Sequence, residues 1–184
     1  QAMNIPLVLP AESCMHFASM MGPKFGVVTT SEKTQWVVDE LAHKYRVSEQ
    51  SVGSIGIPCC FEDQIKAQTD IRPTIEAFTK ASRELIARGA EVIIPGCMLA
   101  DTCLRLAPGC EDEYPNGLTE IDGVPILNVT AVTIKMAEMF ATFKKTQTPY
   151  ISKKLYYKSA HDDPQSVKEG ERILNYTGPG FWRD

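Results

Sequence analysis

Short apolar runs alternate with amphipathic stretches from the start of the chain to residue 147, and that alternation leaves few folds open. Ile5–Leu9 (IPLVL) reads as a first strand, followed by a helix over Glu12–Met21 that stops at Gly22-Pro23. Phe25–Thr29 (FGVVT) reads as a buried strand, and Ser31 is placed to cap a helix carrying Trp36, Val37, Leu41 and Tyr45. Ser51–Ile57 is a third strand, weakened by Gly53 and Gly56 and ended by Pro58, directly before Cys59-Cys60. The spacing predicts a helix over Asp70–Arg88, with Asp70 as cap, Pro73 in the first turn and a buried stripe of Ile75, Phe78, Ala81 or Ser82, Leu85 and Ile86. Glu76, Lys80, Glu84 and Arg88 alternate in sign on the opposite face. Ala90–Pro95 is a fully buried strand with Gly96-Cys97 at its carboxyl end, then come a short helix over Leu99–Leu106 and a polar loop over Pro108–Leu118. Gly123–Leu127 is the last strand, leading into a helix with Val132, Met136, Met139, Phe140 and Phe143. Strands separated by helices call for right-handed crossovers and a mainly parallel sheet, so the fold class is α/β. Residues 148–184 break the pattern and read as an extension.

Composition excludes several function classes. A chain of 184 residues, 43% hydrophobic and 23% charged, buries roughly 70% of its unfolded surface without disulfide or metal staples. No apolar run approaches the ~20 residues of a membrane span, and no basic-then-apolar leader is present. Residues 144–184 carry 8 basic and 5 acidic side chains, so that stretch is +3 and the remainder −7. A body this acidic is poorly suited to following phosphates, so nucleic acid is not an expected partner. The six cysteines, Cys14, Cys59, Cys60, Cys97, Cys103 and Cys110, form no C-x-x-C pair, and there are three histidines. Neither a zinc site nor any other metal is expected, and the thiols read as reduced, which points to the cytoplasm.

Ligands of open parallel sheets sit outside the carboxyl ends of the strands. In this chain those ends carry Thr29-Thr30-Ser31, Cys59-Cys60, Gly96-Cys97-Met98 and Asn128. No G-x-G-x-x-G follows the first strand and no G-x-x-x-x-G-K-[ST] or G-x-S-x-G occurs, which argues against a nucleotide site and a serine hydrolase. Gly96-Cys97 is the sharpest feature. A thiol between a buried strand and a helix lies near the helix's positive end, where negative charge on sulfur is favoured. Gly96 lets the backbone approach a ligand, and the following amides can hold an anionic oxygen. Cys103 and Cys110 rank far lower, and Cys59-Cys60 is a secondary candidate by strand-end position alone.

The stretch Gly89-Ala-Glu-Val-Ile-Ile-Pro-Gly-Cys-Met-Leu-Ala100 resembles the second cysteine motif of the aspartate/glutamate/hydantoin racemase superfamily. Ile5-Pro-Leu-Val-Leu-Pro-Ala-Glu-Ser13 resembles the crossover into that fold's second half, and Phe25-Gly-Val-Val-Thr-Thr30 its substrate-loop strand. Gly123-Val-Pro-Ile-Leu-Asn128 with Val132-Thr-Ile-Lys-Met-Ala-Glu138 resembles the return strand and helix. Together these segments cover about residues 3–143, and the hydantoin racemase branch is the most similar.

The resemblance implies a parallel-sheet sandwich of two α/β halves facing each other across a cleft, with one cysteine from each. Residues 10–123 would form the second half, residues 1–9 and 124–147 a remnant of the first, and residues 148–184 the extension. The implied function is a cofactor-independent racemase acting on a carbon acidified by an adjacent carbonyl, in a hydantoin, allantoin or amino-acid-like substrate. Cys97 would be catalytic, with Thr29, Thr30, Gly96 and Met98 holding the substrate's oxygens. The family's leading half, with its other cysteine, is expected to be missing from this chain, so inversion is expected to be feeble and the chain to associate with itself. One rival is a single-thiol enzyme resembling the arylmalonate decarboxylases, and another is a binding protein that keeps the fold without turnover.

Overall fold

The computed structural model describes residues 6–58 and 61–152, with Gln165 and Lys168. Cys59-Cys60 and most of the expected C-terminal extension lie outside the described residues. The chain divides into two compact units, residues 8–136 and residues 1–7 with 137–184.

In the larger unit, helix α1 (Pro10–Met21) leads to β1 (Phe25–Thr29), α2 (Glu32–Lys44), β2 (Ser51–Gly56), α3 (Phe61–Lys66), α4 (Arg72–Ala87), β3 (Val92–Pro95) and α5 (Met98–Leu106). A short hairpin, β4 (Glu120–Ile121) and β5 (Val124–Pro125), precedes α6 (Val129–Lys145), which begins in this unit. The sheet is parallel, in the order β2-β1-β3. All five residues of β1 are buried, as expected of a central strand covered on both faces.

Strand alternation divides the core into two layers. Val28 and Ile93 face a cluster with Ile75, Phe78, Ala81 and Leu85 of α4. Phe25, Val27, Val92 and Ile94 face Cys14, Met15 and Ala18 of α1 and Ala42 of α2. Helix α4 lies directly over β1, because a Cβ on Gly26 would come within 2.9 Å of the Leu85 Cβ. The stripe expected on α4 is therefore the one that packs. Asp70 Oδ1 accepts the Arg72 N–H at 3.2 Å at the start of that helix. On the outer face Arg88 pairs with Glu84 one turn back.

Three local expectations change. Pro6–Leu9 forms no strand; Leu7 and Leu9 are exposed, and Leu9 is instead the extended N-cap of α1 (φ −109°, ψ 133°). Prolines at positions 6 and 10 bracket that stretch and deny it ladder donors. On α2, Trp36 is 70% and Val37 48% exposed, whereas Val38, Leu41, Ala42 and Tyr45 face the core. The inner stripe follows the i, i+3, i+4, i+7 spacing from residue 38, one step away from the expected one. Gly123–Leu127 is not a full parallel strand. Asp122 (φ 51°) and Gly123 (φ 81°) make a tight turn that pairs β5 antiparallel with β4. Only Ile126 then bridges Ile93 in parallel, with the Leu127 N–H donating to the Ile93 carbonyl at 2.8 Å.

In the smaller unit, Phe140 and Tyr150 bring their rings to 6.4 Å, and the Thr148 N–H donates to the Phe143 carbonyl at 2.8 Å. Among the described residues no helix is long and apolar enough to cross a membrane.

The two-layer core predicts opposite outcomes for two aromatic truncations. Phe78→Ala should cost about 3–5 kcal/mol in urea unfolding, because it empties a buried site between α4 and the sheet. Trp36→Ala should change stability by less than about 0.5 kcal/mol.

Candidate active site

The β3–α5 turn is held against β1 by backbone. The Gly96 N–H donates to the Val28 carbonyl at 2.7 Å. A Cβ at Gly96 would lie 3.1 Å from that oxygen and 3.3 Å from the Thr29 Cα, a fit that a larger side chain would disturb. Cys97 follows as the extended N-cap of α5 (φ −140°, ψ 125°), and its carbonyl accepts the Asp101 N–H at 2.9 Å. Its side chain makes no capping hydrogen bond. Unlike the buried Cys14, Cys103 and Cys110, Cys97 is half-exposed. The first-turn amides that follow it have no acceptor within the helix, and they carry the positive end of its dipole.

Cys97 lines a cavity of about 310 Å³ on the α1/α2 side of the sheet. Its walls are Pro10, Ala11, Cys14 and Met15 of α1, Val27 of β1, Val38 of α2, Ile94 and Pro95 of β3, and Val129 of α6, with Gly96 and Met98 beside Cys97. Among the described residues no charged side chain lines it. Cys97, Gly96 and Met98, three of the residues expected at a site, all line this cavity.

Thr29 and Thr30 are not among the lining residues. Thr29 is 1% exposed; its hydroxyl donates to the Ser31 carbonyl at 2.8 Å and also bonds the Thr34 hydroxyl. With Ser31 Oγ accepting the Thr34 N–H at 3.3 Å, this network builds the turn into α2. Thr30 is half-buried beyond the end of β1. The Gly96 amide, expected to face substrate, is held by the sheet instead.

Asp101 was not singled out by the sequence, because an acid in a first helical turn is an ordinary feature. It is fully buried, and its Oδ2 accepts both the N–H (3.1 Å) and the hydroxyl (3.2 Å) of Thr130. Its Oδ1 lies 3.5 Å from the Arg105 Nε, and Arg105 also donates to the Ile126 carbonyl at 2.6 Å. Asn128, read at a strand end, caps α6 by accepting the Ala131 N–H at 2.8 Å. These contacts tie the start of α5, and so Cys97, to the start of α6.

Burial pushes the Cys14 thiol up to about 11, an effect opposed by a hydrogen bond with Thr133 and reinforced by the charge of Asp101. Its Sγ lies 3.8 Å from the Val129 carbonyl, to which it donates. Cys103 is also raised, by burial and then by the neighbouring Cys97, and Cys110 chiefly by burial. Among the described residues no group of three His, Cys, Asp or Glu side chains is arranged to hold a metal.

A parallel α/β sheet with a cysteine at a strand end, heading a helix beside an apolar cavity, defines a cysteine-bearing α/β protein. The Asp/Glu/hydantoin racemase family model matches residues 1–137, and the chain belongs to that family. Among solved structures, allantoin racemase from Pseudomonas fluorescens is similar at a TM-score of 0.63 and 19% identity, over 85% of this chain and 60% of that one. Allantoin racemase from Klebsiella pneumoniae is similar at a TM-score of 0.56 and 20% identity, over 80% of this chain and 58% of that one. The chain thus spans about three-fifths of the length of these neighbours, and at such identities the likeness is one of fold. No curated protein sequence matches it.

Two outcomes follow from this geometry. Limited iodoacetamide treatment at neutral pH, read by peptide mass, should label Cys97 ahead of Cys14, Cys103 and Cys110, since thiolate character and access both govern alkylation. Asp101→Ala should lower unfolding stability by about 2–4 kcal/mol, because it leaves the partly buried Arg105 guanidinium and the Thr130 amide without their carboxylate, while Asp101→Asn should cost less.

Proposed function

We propose that this chain is a cofactor-independent isomerase whose Cys97 thiolate removes a proton from a carbon acidified by an adjacent carbonyl. The observation that carries the reading is the uncapped, half-exposed thiol of Cys97 at the N-terminus of α5, in a member of the Asp/Glu/hydantoin racemase family. The substrate class is hydantoin, allantoin or amino-acid-like, with the fold neighbours' allantoin supporting the cyclic-ureide end of that range. As the C–H bond breaks, negative charge moves onto the carbonyl oxygen, where the free first-turn amides from Met98 onward can stabilise it. Thr30, half-buried beyond the end of β1, is the candidate hydroxyl to assist them, whereas Thr29 serves the turn. The chemistry asks only for a proton carrier and hydrogen-bond donors.

The accompanying proposal is a cytoplasmic, self-associating enzyme. It is supported by the free thiols and by exposed Met20 (74%) and Leu106 (66%), side chains that burial against a second copy would remove from water.

Proton NMR in deuterated water tests the reading. Loss of the C5–H signal of a 5-substituted hydantoin should be accelerated by the protein over the spontaneous rate. Cys97→Ala should reduce that acceleration by roughly 10²–10⁴-fold, the range for removing a general base, with an unchanged circular dichroism spectrum. Exchange that survives intact in Cys97→Ala would assign the chemistry elsewhere.

A further inference from the structure

A side chain can govern a reaction from outside the cavity by fixing the group that carries it out. The Cys97 side chain makes no capping hydrogen bond, so its place is set by the backbone on either side of it. Before it, the Gly96 N–H is held by the Val28 carbonyl. After it, the Cys97 carbonyl accepts the Asp101 N–H at 2.9 Å. Asp101 is therefore the residue that closes the first turn of α5 on Cys97.

The Asp101 side chain reaches a second helix start. Its Oδ2 accepts the Thr130 N–H and hydroxyl, while Asn128 takes the next amide, that of Ala131. Thr130 directly follows Val129, which is the first residue of α6 and a wall of the cavity that Cys97 lines. One carboxylate thus joins the turn that carries the thiol to the helix start that supplies a wall of the same cavity. Asp101 is fully buried, and among the described residues its Oδ1 has no hydrogen-bond donor and faces the Arg105 Nε at 3.5 Å. Such a pair adds little stability, because desolvation offsets the attraction. What it supplies is a single arrangement, since any other leaves a charge buried alone. The carboxylate is also close enough to the cavity to reinforce the upward shift that burial chiefly gives the Cys14 thiol.

We infer that Asp101 is a positioning residue of this site, holding Cys97 and the Val129 wall at one separation so that a substrate carbon resting in the cavity meets the thiolate at reacting distance. The inference rests on the proposed function of Cys97 and adds to it a residue that is not among those lining the cavity. Its signature is kinetic. Proton removal from carbon demands close and aligned approach, and a displacement of about 1 Å lowers its rate by about 100-fold. Seating a ring against apolar walls is far less sensitive, because dispersion contacts are many and individually weak. Loosening the clamp should therefore lower kcat and leave KM nearly unchanged.

The test uses the full chain well below its unfolding midpoint. Proton NMR follows C5–H exchange of 5-benzylhydantoin in deuterated water over a range of concentrations, with an enzyme-free blank subtracted. Asp101→Ala should lower kcat by roughly 10–100-fold and change KM by less than about threefold. Asp101→Asn keeps an oxygen for the Thr130 amide and hydroxyl, and should restore kcat to within about fivefold of wild type. Phe78→Ala, which is destabilised in the other layer of the core, should keep the wild-type kcat and so separates positioning from stability. Should Asp101→Ala not fold, Thr130→Val decides, since it deletes one of the two bonds to Oδ2 and leaves the Arg105 pair in place. It should lower kcat by about 3–10-fold, again with KM nearly unchanged. Hydrogen exchange read by mass spectrometry should show faster amide exchange in the first turns of both α5 and α6 in the same variants.

A wild-type kcat in folded Asp101→Ala, or in Thr130→Val where the alanine variant does not fold, would overturn the role of Asp101 while leaving that of Cys97 standing. So would an equal loss in Phe78→Ala, a failure of Asp101→Asn to restore kcat, or unchanged amide exchange at the start of α5. A wild-type chain that does not accelerate exchange, or exchange that persists in Cys97→Ala, would overturn the reading of Cys97 and this inference with it.

Discussion

The site depends on how closely β3 and the turn after it lie against β1. Four residues of β1 pair in parallel register with Val92–Pro95, and one further backbone bond, from Gly96 to the Val28 carbonyl, carries the contact past the strand end. Because Gly96 has no side chain, the chain can turn away from the sheet at that point and start α5 at once. Cys97 is therefore placed by backbone geometry rather than by contacts of its own side chain, which leaves its sulfur free for chemistry. Strand β1 is itself fixed on both faces, by α4 over Gly26 and by α1 over Val27.

A second constraint is the polarity of the cavity. Among the described residues its walls are apolar apart from two thiols, so an ion formed there is poorly screened and poorly solvated. The Cys14 thiol, buried among these walls, is correspondingly hard to ionise. Asp101 is just outside this cavity. Its carboxylate holds the first amide group of α6 and pairs with Arg105, which joins α5 to α6 behind the cysteine.

Family membership and fold likeness agree on the α/β architecture with its parallel sheet. The neighbours are longer proteins, and this chain covers three-fifths of their length. The larger unit contains the sheet, its covering helices and the cavity beside Cys97, the N-cap residue of α5.

Much of this was readable in the residues themselves. The runs FGVVT and VIIP, the α4 stripe of Ile75, Phe78 and Leu85, the Ser31 cap and the Gly96-Cys97 junction are local signals. Each is set by burial period, turn chemistry or capping, and each has its counterpart in the structure. Where local signals were ambiguous, tertiary packing decided. Proline spacing kept residues 6–9 from pairing, the Asp122-Gly123 turn bent the last strand into a hairpin, and the sheet selected Val38 and Ala42 over Trp36 and Val37. Two features of the site could not be read from sequence at all. Asp101 acquires its meaning only when Thr130, 29 positions away, presents its amide to it. Cys14 is an unremarkable helical cysteine until α1 crosses the sheet and brings it to the same cavity as Cys97, 83 positions further along the chain. Sequence period determines which face of an element is buried, but only the packed sheet determines which distant residues share that face.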